Sequence, residues 1–173
     1  MHDVGLAAWF GGNLANAVAL NPAAAEAGDA TSTGRVANTG WDRWTPVNAA
    51  AIGVHLIGSL GQLGGNRARL QAQEGVASMA VTKTVLTAAA LGATAYSRTL
   101  GQKVSAHHST PAESGTTPTT STPDDVAKAQ KQLSVMQWVI PAITGALVVI
   151  SAYAGEQQRP TEAHKGIAAR LLK

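Results

Sequence analysis

The chain has 173 residues, no cysteine and a formal charge of +3, which suits one domain and excludes a disulfide framework, a thiolate metal site or a cysteine nucleophile. Its 13 lysines and arginines are scattered without aromatic interleaving, so nucleic acid is excluded as a partner. Mean hydropathy is near zero, +0.03, because apolar windows alternate with polar connections. Four of those windows reach the length a helix needs to cross the hydrocarbon core. The whole chain, 1–173, therefore reads as a single all-α membrane domain: a four-helix transmembrane bundle in a lipid bilayer, with spans at about 4–20, 47–63, 76–97 and 133–154.

The first window, Val4 to Leu20, resembles a secretory signal only at Ala23-Ala24-Ala25. His2-Asp3 supplies no positive n-region, and Asn13 and Asn16 interrupt the apolar core, so it reads as a span. Asn21-Pro22 should end that helix. Residues 23–45 read as a polar connection closing in Trp41 and Trp44, indoles suited to the headgroup region. Pro46 fits the first turn of the second helix, where its missing N–H is unpaired anyway. That helix ends in Gly64-Gly65 and a short loop carrying Arg67 and Arg69.

The third window is rich in Ala and Thr and contains Lys83, with Tyr96 and Arg98 at its far end. Residues 99–125 form a loop between helices three and four, and their Ser/Thr/Pro composition cannot bury enough apolar surface to order itself. The expectation is a disordered, exposed loop. Asp124 and Asp125 then open a helix that leads into the fourth span, since acids suit a first turn. Pro141 should kink that span and free the carbonyl of Gln137. The basic tail, 156–173, is either a short helix with Ile167, Leu171 and Leu172 on one side, resting on the membrane surface, or frayed coil.

Four spans put both termini on one side and bring Trp41, Trp44, Tyr96 and Trp138 to one interface. Lysines and arginines outside the spans divide six and six between the two sides. The short loop with Arg67 and Arg69 weighs more than charges in long connections, which places the protein in the cell membrane with both termini cytoplasmic.

Small residues let membrane helices approach closely. Gly11 and Ala15 form such a row in span one, Gly53 and Gly61 in span two, and Ala88 and Gly92 in span three, and these are the expected packing positions. Polar groups inside a membrane are costly and tend to face protein or a wet cavity. Asn13, Asn16, His55, Ser59 and Lys83 are therefore the candidate intramembrane polar site. Mid-span His55 needs a partner such as Asn13, Asn16, Ser59 or a backbone carbonyl, or else lines a wet cavity, whereas the stem of Lys83 can also snorkel outward. His107-His108, His2 and His164 have no metal-ligand spacing, and no nucleotide loop, nucleophile elbow or catalytic carboxylate pair occurs. Catalytic residues, metal ligands and cofactors are thus assigned as none.

His2, Trp9, Gly11 and Gly12 form His-x6-Trp-x-Gly-Gly, which resembles the first-helix pattern of bacterial copper-resistance membrane proteins over about a dozen residues. The remainder, including Thr82-Lys83-Thr84 and Tyr96-Ser97-Arg98, is similar to small uncharacterised Ala/Gly-rich integral membrane proteins of actinobacteria. The resemblance implies a membrane-embedded helical bundle and a hint of metal handling. The chain departs from the copper pattern by lacking Met-rich and Cys motifs. The expected function is non-enzymatic: an accessory or scaffold component of a membrane complex, with a membrane protein partner, or a homo-oligomer. The alternative is a small transporter or permeation unit for an ion, metal or small solute.

Overall fold

The computed structural model describes residues 1–67, 75–106 and 110–156. The tail from 157 onward, Arg69 and the His107-His108 pair lie outside the described residues. The elements in order are helix α1 (His2–Ala15), a π turn (Asn16–Leu20), α2 (Asn21–Ala24), a 3-10 turn (Ala25–Ala27), α3 (Ala30–Gly65), α4 (Val76–Ser105), strands β1 (Ala112–Ser114) and β2 (Thr117–Pro118), and α5 (Asp124–Glu156). Three helices, α3, α4 and α5, are long and apolar enough to cross a membrane. The expected first span is not among them: α1 has 14 residues, and its path continues only through the π turn.

The rods are antiparallel in sequence order. α1 packs along α3 and then α5, α4 packs along α5, and α3 scarcely touches α4, giving the spatial order α3, α1, α5, α4. The inner face of α1 is His2, Gly5, Leu6, Trp9 and Asn13, the helical spacing of one stripe. Trp9 and Leu6 form the centre of the apolar core with Ala51, Ala90 and Leu147. Outward, Ile57, Val81, Val85 and Val149 are exposed, as a lipid-facing surface requires. Only 6% of the most apolar stretch of α4 is buried within the chain, so its hydrophobicity has little use without an apolar surround.

The expected packing rows are corrected by the structure. A Cβ added at Gly11, Gly53, Gly61 or Gly92 meets nothing within 4 Å, and Ala15 and Ala88 are exposed. The bulk of Leu6 and Trp9 fixes which face of α1 turns inward, and that rotation sends Gly11 and Ala15 outward. Close approach occurs instead at Gly5, whose Cβ would strike the His55 amide and the Ala51 carbonyl, at Gly58 against the His2 backbone, and at Gly12 against the Trp44 ring.

Both early prolines sit differently from the sequence expectation. Pro22 does not end the helix; it lies inside α2, directly after the π turn. A proline ring clashes with the carbonyl four residues back in a regular α-helix. Here the turn before it is widened, with the Asn21 amide bonded to the Asn16 carbonyl. The rod stops at Gly28, which takes φ +92°, a conformation open to glycine.

Pro46 is not in a first turn but in the interior of α3. The supposed connection 23–45 is helical from Ala30, because Asp29 caps it. The Asp29 carboxylate accepts the Ser32 amide at 2.9 Å and the Ser32 hydroxyl at 2.7 Å. These bonds hold the Asp29 carboxyl below its ordinary pKa.

At 36 residues, α3 is roughly 54 Å long, well beyond a hydrocarbon core of about 30 Å. The surplus of α3, the end of α4 and the start of α5 form a polar cap with a small core of Leu100, Val104, Val126 and Ala129. Arg98 pairs with Asp42 at 3.3 Å and Lys103 with Asp125 at 3.7 Å across its surface. The Ser/Thr/Pro segment, expected as disordered, forms the β1–β2 hairpin of this cap. It lacks large apolar groups but docks through backbone and hydroxyls. Ala112, Thr116 and Thr122 are buried, the Thr122 hydroxyl donates to the Pro111 carbonyl at 2.6 Å, and the Thr110 carbonyl rests directly on Gly34 of α3.

Candidate intramembrane polar site

Because α3 and α4 stand apart, a cleft runs between them, floored in part by α1. It holds two cavities. One, of about 440 Å³, lies toward the α3–α4 connection and is lined by His2, Ser59, Gln62, Met79, Lys83 and Thr87 among others. The second, of about 330 Å³, lies toward the cap and includes Asn13, Trp41, Trp44, Asn48, Thr94 and Arg98 in its wall. Leu91 borders both.

The structure does not bring the candidate polar residues together: Ser59 and Lys83 line the first cavity, Asn13 the second, and His55 and Asn16 neither. His55 is fully buried, and of the expected partners the one it meets is a backbone carbonyl rather than an asparagine or Ser59. Its Nδ1 lies 3.3 Å from the His2 carbonyl oxygen, and its ring centroid is 4.4 Å from that of His2. The His2 Nδ1 in turn lies 2.7 Å from the Asp3 carboxylate. Nε2 of His55 is buried without a hydrogen-bond partner among the described residues. Ser59 turns its hydroxyl back onto the His55 carbonyl at 2.8 Å within α3. Lys83, from the opposite wall, donates to the Gln62 side-chain oxygen at 3.4 Å.

Asn13 belongs to the other cavity. Its amide donates to the Trp9 carbonyl at 2.7 Å and to the Asn48 side chain at 3.1 Å. Asn16 joins neither cavity, and its amide nitrogen is buried without a hydrogen-bond partner among the described residues.

Two contributors escaped the sequence reading. His2 has no ligand spacing to the other histidines in the sequence, yet the antiparallel α1–α3 contact at Gly58 carries it onto His55. Asn21 was read only as a helix terminator. It is buried, donates to Gln137 of α5 at 2.8 Å, accepts from the Trp41 indole at 2.9 Å, and takes the Gly115 amide on its carbonyl at 3.3 Å. One side chain and its backbone thus tie α2 to α3, α5 and the hairpin. Neither had a periodicity signal; a buried asparagine beside a proline is legible only once the helix is known to continue.

Among the described residues no three histidine, cysteine or carboxylate side chains converge on a common point. The chemistry on offer is that of two imidazoles in tilted contact and an ammonium group beside a largely apolar chamber. Comparison with protein-family models, with curated proteins and with solved structures gives no match.

Proposed function

We propose that this chain is a non-enzymatic integral membrane protein that acts by contact, as an accessory or scaffold component of a membrane assembly or as a homo-oligomer. The observation that carries this reading is the outward direction of Gly11 on α1 and of Gly53 and Gly61 on α3, where an added Cβ would meet no other part of the chain within 4 Å. The row of Ala88 and Gly92 borders the α3–α4 cleft instead, through Ala88. In lipid, helices associate through close backbone approach at small residues. Rows unused inside the bundle suit a seam with another membrane helix. The apolar stretch of α4, so little covered by its own chain, agrees with this.

The test is Gly11→Leu together with Gly61→Leu, read by oligomer size and co-purification in mild detergent alongside thermal melting. The expected result is loss of assembly with an unchanged melting temperature, because neither side chain enters the bundle. Unchanged assembly in both variants would remove the reading.

The alternative, a permeation unit for an ion or small solute, draws on the polar groups in both cavities. Against it, apolar Ile52 and Leu91, which border the cavities, also pack on the Trp9 core. Uptake of a solute by vesicles containing the purified chain, abolished by His55→Leu, would favour it over the contact reading.

A further inference from the structure

We propose that the larger cavity between α3 and α4 is a lipid site, taking one acyl chain and holding the anionic headgroup of that lipid on Lys83. This goes beyond the contact reading and does not depend on it.

Lys83 is a cation without a described ion-pair partner, and the Asp3 carboxylate acts on it only from a distance. Among the described residues the only hydrogen-bond acceptor for the Lys83 ammonium is the neutral Gln62 amide at 3.4 Å, and none of the described ion pairs includes it. The walls around it are Leu56, Leu60, Leu63, Val76 and Met79. An ammonium group in such surroundings is costly unless an anion joins it.

Position supplies the second step. Lys83 stands seven residues into α4, roughly 10 Å along the helix axis, within reach of a headgroup from the leaflet at that end. Gln62 and Asn66, from the end of α3, add amide donors on the same cavity.

Shape supplies the third. At about 440 Å³ the cavity falls in the range of sites that bury a small ligand. It exists because α3 and α4 hardly touch, and because Ala80, Thr84 and Ala88 on the α4 wall are too small to fill it. A hydrated inorganic anion would satisfy Lys83 but leave the leucine walls facing water. An anionic phospholipid satisfies both, and the cleft between the helices gives it a sideways path from the bilayer.

The experiment is native mass spectrometry of the full chain, released from nanodiscs of phosphatidylglycerol and phosphatidylcholine with identical acyl chains. The expected result is one retained phosphatidylglycerol, favoured about tenfold or more over phosphatidylcholine, the scale of a close charge pair. Lys83→Gln should abolish the preference. Lys83→Arg, which keeps the charge, should retain it, and so should Lys128→Gln on the exposed start of α5. Should Lys83→Gln not fold, Ala88→Phe offers an independent check, since it fills the cavity and should expel the lipid without touching the charge. Equal retention of both lipids by the native chain would overturn the proposal. So would displacement of the lipid by millimolar inorganic phosphate, loss of the preference in Lys128→Gln, or a protein helix found in the cleft in place of lipid.

Discussion

His55 and His2, 53 residues apart, hold their imidazole rings 4.4 Å from centroid to centroid at a tilt of 48°, and the His55 Nδ1 faces the His2 carbonyl. The contact requires Gly58, because a side chain there would collide with the backbone of His2. A donor at Nδ1 is what the carbonyl needs, and glutamine can supply one from a similar reach. His55→Leu should therefore lower stability by about 1–3 kcal/mol, the cost of losing a buried polar contact. His55→Gln should cost less. Thermal melting in detergent compares them, and equal melting of the two variants would show that the His2 contact contributes nothing beyond shape.

Gly5 and Gly58 are the positions where α1 and α3 meet backbone to backbone. Gly5→Ala or Gly58→Ala should destabilise the monomer by at least about 2 kcal/mol, since the obstruction is main chain and cannot rotate away. Gly53→Ala, on the same helix with open space beside it, should change stability by less than about 0.5 kcal/mol. Chemical denaturation in mixed micelles reads the difference. A Gly53→Ala cost equal to that of Gly5→Ala would contradict the α1–α3 register.

Asn21 should be the least replaceable polar residue at the base of the cap. Asn21→Leu strands the Trp41 indole and the Gln137 amide, about 1–3 kcal/mol for each group left unpaired. Asn21→Asp keeps an acceptor for Trp41 but turns a second oxygen toward the Gln137 oxygen. It should be intermediate at neutral pH and recover as the carboxyl protonates. Melting across pH, with Trp fluorescence as the local signal, checks both.

The docking of the β1–β2 hairpin depends on Gly34 having no side chain. Gly34→Leu should release residues 110–123 to hydrogen exchange and protease while α1 and the lower halves of α3, α4 and α5 stay protected. Protection unchanged in the hairpin would mean that the contact at Thr110 does not hold it.

Sidedness is open to a simple measurement because the chain has no cysteine. The antiparallel order places Ser114 in the hairpin and Arg67 beyond α3 at opposite ends of the bundle. Ser114→Cys and Arg67→Cys should react with a membrane-impermeant maleimide from opposite faces of sealed vesicles. Reaction of both from one face would refute the crossing of α3.

The apolar windows of α3, α4 and α5 are legible because a stretch of 18 residues that is apolar on average leaves few structural options. What lay outside those windows was not. The polar residues 30–45 carry no apolar stripe, and their helix rests on the Asp29 cap and the hairpin laid against Gly34, both tertiary facts. The hairpin composition argued for disorder, and its order comes from threonine hydroxyls and main-chain contacts that composition does not encode. Spacing identifies rows of small residues, but rotation about the helix axis decides which row the chain packs upon. That rotation was set by Leu6 and Trp9, not by the glycines. In the candidate site, His55 and Lys83 stood out by depth in an apolar run, while His2 and Asn21 stood out only after the chain folded them against partners.

The π turn at Asn16–Leu20 has a consequence for phase. A π turn holds one more residue than the α turn it replaces, so it acts as a single-residue insertion that rotates everything after it by about 100° relative to everything before it. Upstream of it, Trp9 and Asn13 face the core; downstream, Asn21 meets Trp41, Gln137 and Gly115. Deleting Ala19 would restore an unbroken α-helical register and swing Asn21 away from all three partners. The irregular turn is thus a phase adjuster: it lets a single rod satisfy two differently oriented sets of neighbours, one within the apolar layer and one at the base of the cap.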